Sequence, residues 1–320
     1  MKGIMLRELI EKIQVLKENV KKVIIGKDEI IDYMIVALLS KGNVLLEDVP
    51  GVGKTVLAKA LAESIELDFK RIQFTPDTMP SDVLGVNVFN PKTLEFEFKP
   101  GPVFTNILLV DEINRTSPRT QAGLLEAMDE GKVTIDGVVY TLPKPFMVIA
   151  TQNPREHFGT YPLPESQLDR FFISLSLGYL TVEKEVEMLE SQMVVHPLER
   201  LEAVWRKEDL LQVQEIVKGI YIDREILRYI VELINITRDD SLFSLGAGPR
   251  ASISIMRGSQ AFALLEGRNY VIPEDVIKMV IPVLVHRVVV KEGINSNRAS
   301  KEELIKDILK RVKIPKIRVL

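Results

Sequence analysis

One stretch constrains the fold of this chain more than any other. Val44, Leu45 and Leu46 form a short apolar run, read as a buried strand, and Glu47-Asp48-Val49-Pro50-Gly51-Val52-Gly53-Lys54-Thr55 follows it. From Lys54 onward Leu57, Ala58, Leu61 and Ile65 recur at helical spacing. Strand, glycine loop and helix in that order is the setting of a phosphate-binding loop. Gly51 and Gly53 let backbone approach phosphate without a Cβ in the way. Successive N–H groups and the helix N-terminus then surround the anion with partial positive charge. Lys54 adds a full charge toward the β and γ phosphates, and the Thr55 hydroxyl suits Mg²⁺. The residues read as holding nucleotide are Gly51, Val52, Gly53, Lys54, Thr55 and Val56. The usual pattern is G-x-x-x-x-G-K-[ST], and this chain has Asp48 at its first position.

A second strand ends in acid. Ile107-Leu108-Leu109-Val110 runs into Asp111-Glu112, which describes a central parallel strand whose C-terminal end faces a ligand. Asp111 is read as a Mg²⁺ ligand and Glu112 as the group that polarises an attacking water. Phe146 to Ala150 is a further buried strand, followed by Thr151-Gln152-Asn153-Pro154. Asn153 thus emerges at the same sheet edge, in reach of a γ phosphate or the water. Strands are also expected over Phe69–Phe74 and Ile173–Leu177, with a short helix bearing Arg170 between Leu163 and Phe171.

Two hairpins interrupt this pattern. One pairs Val86–Phe89 with Leu94–Phe98 around Asn90-Pro91-Lys92-Thr93. The other spans Lys132–Thr141, with Asp136-Gly137 as a type I′ turn. Their tips are candidate contact surfaces. Upstream, Leu6, Leu9, Ile10, Ile13 and Leu16 mark an amphipathic first helix, and a second runs from about Glu29 to Ser40. The turn between them, Val23-Ile24-Ile25-Gly26-Lys27-Asp28, suits an adenine pocket and plain core packing equally.

From about Thr181 strand signals stop and amphipathic helices dominate. Ile226, Leu227, Ile230, Val231 and Ile234 mark one, and Pro273-Glu274-Asp275 opens another that Pro282 should kink or restart. Ile272 is a poor cap for that helix. Gly246-Ala247-Gly248-Pro249-Arg250 sets an arginine at a helix start. The segment 301–320 carries seven Lys/Arg and three Asp/Glu, which a solvated helix face explains. The division expected is residues 1–180 for the α/β unit and 181–320 for a smaller helical one.

Composition narrows the function classes. A formal charge of −3 over 320 residues supplies no global field for nucleic acid. The absence of cysteine removes disulfide frameworks and thiolate metal sites. His157, His196 and His286 show no ligand spacing. No apolar run approaches the ~18 residues of a membrane span, and a cytoplasmic protein is expected.

The co-linear set of Leu-Leu-Glu-Asp-Val-Pro-Gly-Val-Gly-Lys-Thr at 45–55, Leu-Val-Asp-Glu-Ile-Asn-Arg at 109–115, Ala-Thr-Gln-Asn-Pro at 150–154, Leu-Asp-Arg-Phe at 168–171 and Gly-Pro-Arg-Ala-Ser at 248–252 resembles the MoxR group of AAA+ ATPases, in the clade with a helix-2 insert. The resemblance covers nearly the whole chain, and Asp48 is familiar in that group. It implies an α/β P-loop domain with a parallel five-stranded sheet followed by an all-α lid. The hairpin at 86–98 falls where the clade carries its insert, and that at 133–141 where it carries a hairpin before sensor 1. The resemblance makes Asn153 sensor 1, Arg170 the arginine finger acting on a neighbour's phosphate, and Arg250 sensor 2, in cis or in trans. A structural ion pair of Arg170 with Asp169 or Glu165 is the competing reading.

The function expected is Mg²⁺-dependent hydrolysis of ATP to ADP and phosphate. By resemblance the chain forms a homo-oligomeric ring, usually a hexamer, and remodels protein clients beside a protein with a von Willebrand factor A domain. A DNA translocase or helicase is the first alternative, disfavoured because such motors add a DNA-binding domain for which this length leaves no room. A non-catalytic nucleotide switch is the second, and the Asp111-Glu112 pair argues against it. A metal-chelatase motor subunit is the third.

Overall fold

The computed structural model describes residues 2–153, 159–239 and 241–316. Pro154 and His157 lie outside the described residues, as does the side chain of Leu6. The chain opens with helices α1 (Lys2–Lys21) and α2 (Asp28–Leu39), then strand β1 (Val44–Glu47), α3 (Lys54–Glu63), β2 (Phe69–Gln73) and the short α4 (Pro80–Leu84). A hairpin of β3 (Gly85–Asn90) and β4 (Glu95–Pro100) precedes β5 (Ile107–Asp111) and α5 (Pro118–Glu130). A second hairpin, β6 (Lys132–Ile135) with β7 (Val138–Thr141), leads to β8 (Met147–Gln152), α6 (Glu165–Leu168) and β9 (Ile173–Leu175). The remainder is helical: α7 (Val182–Gln192), α8 (Lys207–Val217), α9 (Arg224–Asp239), α10 (Pro249–Leu265), α11 (Pro273–Leu284) and α12 (Arg298–Arg311).

The main sheet has the order β2-β5-β8-β1-β9, and every pairing in it is parallel. Its central strands read as unbroken apolar runs because both faces are covered. Alternate residues feed two cores. Val44, Leu46, Ile107, Leu109, Ile149 and Ile173 join one cluster with α1, α2, α3 and the C-terminal helices. Leu45, Leu108, Val110, Val148 and Ala150 join another with Leu124, Leu125 and Phe171. The N-terminal helices therefore share a continuous core with the C-terminal ones, Ile13 and Leu16 packing in the same cluster as Leu233 and Leu265.

The helical part holds one pair of strands that its length hid from the sequence. β10 (Phe243–Leu245) pairs antiparallel with β11 (Val289–Val290). Runs of three and two residues are too short to show alternation. On α9 the buried face is Ile226, Tyr229, Ile230, Leu233, Ile234 and Thr237. Val231 lies off it, 47% exposed, because it follows the buried face by a quarter turn. α11 runs through Pro282 and ends two residues later; the Lys278 carbonyl, which loses its i+4 N–H donor to the proline, accepts the Tyr33 hydroxyl at 2.9 Å instead. Its start needs no capping side chain at Ile272. The buried Asp275 accepts the Ile272 N–H at 2.9 Å and a two-pronged pair from Arg268 at 2.6 and 2.8 Å.

Polar anchors tie the helical part to the sheet and to α1. Arg298 at the start of α12 donates to Glu47 Oε2 at 2.8 Å and to Ser174 Oγ at 2.7 Å. Trp205 donates to the Lys12 carbonyl at 3.0 Å. Among the described residues no helix is long and apolar enough to cross a membrane.

Candidate active site

Parallel strands end together, so β1, β5 and β8 deliver their C-terminal loops to one edge. There Pro50, Gly51, Gly53, Lys54, Thr55 and Val56 face Asp111, Glu112 and Asn153 across a cavity of about 360 Å³. The P-loop residues and the acidic strand end expected from sequence thus share one cleft. Val52 instead leans against the apolar core. The Val23–Lys27 turn packs on the segment after β9, Lys27 Nζ donating to the carbonyls of Leu177 and Tyr179 at 2.5 and 2.8 Å.

The loop conformation explains its glycines. Gly51 and Gly53 sit at φ +85° and +92°, in the left-handed region that L side chains avoid, and a Cβ at either would meet nothing within 4 Å. The space beside them is open, as a cradle for phosphate requires. Lys54 Nζ donates to the carbonyls of Asp48 and Val49 at 3.0 and 3.1 Å. Partial burial pulls the Lys54 pKa down, and the charges of Asp48, Asp111 and Glu112 pull it back up.

Asp48 has a structural task that glycine could not perform. Its Oδ1 accepts the Val49 N–H at 2.9 Å, while Oδ2 accepts the Gly178 N–H at 2.8 Å and the Ser176 hydroxyl at 3.1 Å. The loop is thereby pinned to the exit of β9.

The acidic end is held as tightly. Asp111 is buried; its Oδ1 accepts from Thr151 Oγ1 at 3.2 Å and its Oδ2 pairs with Arg71 Nε at 2.6 Å. Glu112 sits at φ +57°, a left-handed conformation that costs a non-glycine residue of order 1–3 kcal/mol. Thr151 Oγ1 holds its N–H at 3.0 Å, and its carboxylate pairs with Arg115 at 2.7 Å. Arg71, Gln73 and Thr151 also line the cleft and were not singled out from sequence. Knowing that β2 neighbours β5 would have found the first two, since strand order sets which side chains reach this edge.

Two of the expected site residues are elsewhere. Arg170 and Arg250 line a second cleft of about 370 Å³ with Lys41, Gly42, Asn43 and Asp129. Asn43 immediately precedes β1 and Arg170 precedes β9, so this cleft opens at the opposite end of the sheet from the glycine loop. The four residues of β1 alone put ~13 Å of strand between them. Arg170 pairs with Asp129 at 3.1 Å and donates to the Leu125 carbonyl at 3.2 Å; Arg250 reaches the same Asp129 oxygen at 3.3 Å. Asp169 pairs with Arg287 instead of Arg170.

The Thr55 hydroxyl and the Asp111 carboxylate form an all-oxygen donor set beside Lys54. Such a set fits Mg²⁺, which takes one or two protein ligands and completes its shell with water and phosphate. Among the described residues there is no cluster of three or more His, Cys, Asp or Glu that would make a dedicated metal cage.

Comparison with known proteins agrees with this fold. Residues 43–173 match the ATPase family associated with various cellular activities (AAA), and residues 235–308 match the AAA lid domain. YeaC of Bacillus subtilis is 50% identical over 298 residues, covering 93% of each chain. Chaperone MoxR1 of Mycobacterium tuberculosis is 40% identical over 308 residues, covering 93% of this chain and 81% of its own. A crystal structure from Cytophaga hutchinsonii, 36% identical, superposes with a TM-score of 0.90 over 98% of both chains.

The Asp48 bonds make a prediction against the commoner pattern. Asp48→Gly restores the usual first residue, yet leaves the Gly178 N–H without its acceptor. It should lower unfolding stability by about 1–3 kcal/mol in urea or thermal denaturation. Unchanged stability would show that Asp48 has no anchoring role.

Proposed function

This chain belongs to the MoxR family of AAA ATPases, and from that premise we propose that it hydrolyses ATP to ADP and phosphate as an assembly whose catalytic sites form between subunits. The observation that carries this reading is the split of the expected machinery. The glycine loop, Asp111, Glu112 and Asn153 meet at one end of the sheet, and Arg170 with Arg250 line a cleft at the other, both paired with Asp129. One subunit's arginines cannot reach its own loop, whereas a head-to-tail neighbour brings the two ends together. Repeating that contact closes a ring.

Within the site each residue has a separate task. The loop N–H groups and Lys54 bind and neutralise the phosphates. Thr55 and Asp111 would hold Mg²⁺, which supplies Lewis-acid stabilisation of phosphate charge when bound. Glu112 orients water and takes its proton during attack on the γ phosphate, and Asn153 fixes the position of either. Arg170 from the neighbour adds a permanent charge in a planar fork that suits two phosphate oxygens. Arg250, sharing Asp129 with Arg170, joins it in trans.

Two surfaces support assembly and remodelling. Helix α7 buries none of its residues, and Val182, Val186, Leu189 and Met193 form an exposed apolar stripe along it, which suits a second copy. The two hairpins brace each other through Asn87–Asp136 at 2.7 Å and a Phe98–Tyr140 stack at 4.0 Å. Their outer faces expose Phe89, Leu94, Phe96, Val138 and Val139. We assign these faces to protein clients, with a von Willebrand factor A domain protein as the expected partner, and place the boundary between catalytic and lid units near residue 180. The net charge of −3 disfavours a DNA motor.

Binding and turnover should separate by residue. Lys54→Ala should lose binding of a fluorescent ATP analogue. Glu112→Gln should keep binding and lose phosphate release, and Arg170→Ala should lose about 10³–10⁵ in rate. Normal phosphate release by Glu112→Gln would remove that residue from the water-activating role.

Shortening the first hairpin across Pro91-Lys92 should leave basal phosphate release within about twofold of the parent chain while abolishing client remodelling, since no phosphate-binding group lies there. Loss of basal hydrolysis in a shortened form that still assembles would place the hairpin in the engine.

A further inference from the structure

Beyond α11 lie His286 and Arg287, which the mechanism above does not use. Arg287 is a cation with only 5% of its surface exposed. Its Nε donates to Asp169 Oδ1 at 2.9 Å. One terminal nitrogen donates to the carbonyls of Phe172 at 3.1 Å and Val283 at 2.7 Å; the other donates to those of Phe171 at 2.5 Å and Asp169 at 3.2 Å. That second nitrogen also lies 3.4 Å from Ser254 Oγ. His286 Nε2 adds a contact to the Phe171 carbonyl at 3.1 Å.

The pattern is specific. Residues 169–172 join α6 to β9, and three of their four carbonyls converge on one guanidinium. Buried carbonyls outside a helix or ladder need such a partner. Burial pulls the Arg287 pKa down to about 10, with Asp169 opposing the shift, so the group keeps its charge at neutral pH. Arg170 sits inside the clamped segment. Ser254 lies four residues beyond Arg250 on α10, hence on the same helix face. A single buried side chain therefore touches the finger segment, the helix of Arg250 and α11.

We propose that Arg287 is a positioning residue that fixes the Arg170 segment to the lid, so that Arg170 and Arg250 are presented to the neighbouring subunit as one rigid unit. The inference rests on the trans role given to Arg170 above. A lysine cannot replace it. An ammonium is a point donor, whereas the five N–H groups of arginine fan out over a plane wide enough for acceptors on three elements.

Arg287→Lys keeps the charge and is the informative variant. Alone it should bind a fluorescent ATP analogue with unchanged affinity and lose roughly 10²-fold in turnover, the scale expected for a misplaced catalytic group. Its own loop remains sound and its finger fails. Mixed under subunit exchange with Lys54→Ala, which brings a sound finger, it should recover activity; mixed with Arg170→Ala it should not. Normal turnover by Arg287→Lys alone overturns the proposal, as does recovery with Arg170→Ala or with neither partner. Arg170→Ala mixed with Lys54→Ala is the control. If that pair fails to recover, the trans site itself is refuted, and amide hydrogen exchange then decides the positioning claim. Exchange over 169–173 should accelerate in Arg287→Lys while 48–56 stays unchanged, and unchanged exchange over 169–173 overturns it.

Discussion

The polarity of a parallel sheet is the constraint on which the rest of this molecule depends. All five strands point the same way, so everything attached to their C-terminal ends gathers at one edge and everything attached to their N-terminal ends at the other. The glycine loop, the paired carboxylates and Asn153 belong to the first group, and Arg170 to the second. No side-chain rearrangement within a subunit can cross the length of β1. On the proposed function, a catalytic centre that uses both groups would have to be shared between subunits. The lid follows the same logic: Arg250 is drawn to Asp129 beside Arg170, and Arg287 holds that end together from behind.

At the other edge the site is internally neutralised. Lys54 rests on the loop carbonyls, Arg71 covers Asp111 and Arg115 covers Glu112. Every charge needed for phosphate chemistry has a local partner. On the proposed function, binding of a polyanion with its metal would exchange these contacts for others, among them that of Arg71, which is half exposed on β2. The strained backbone of Glu112 fits the same picture of a carboxylate held in place before substrate arrives.

The sequence reading reached the sheet, both hairpins and the phosphate edge because each rests on local signals: apolar runs ending in a glycine loop or an acid pair, and a two-residue turn with both φ angles positive at Asp136-Gly137. It missed what depends on neighbours in space. Arg71 is one charged residue in a half-exposed strand until β2 is seen beside β5. Asp48 looked like a departure from a motif, and only Ser176 and Gly178 show why a carboxylate is there. The competing reading for Arg170 is a local ion pair with Asp169 or Glu165, but Asp169 is taken by Arg287, 118 residues away, and Arg170 pairs with Asp129. The family resemblance implied a trans role for Arg170, and strand polarity is the observation that favours that proposal.

The central claim, that hydrolysis needs a site built by two subunits, is tested most directly by measuring phosphate release per subunit across a dilution series while following the oligomeric state by sedimentation. The account predicts that activity per subunit falls toward zero as the assembly dissociates, in step with the loss of oligomer, while binding of a fluorescent ATP analogue persists in the monomer. Turnover per subunit that stays constant in demonstrably monomeric protein would contradict it.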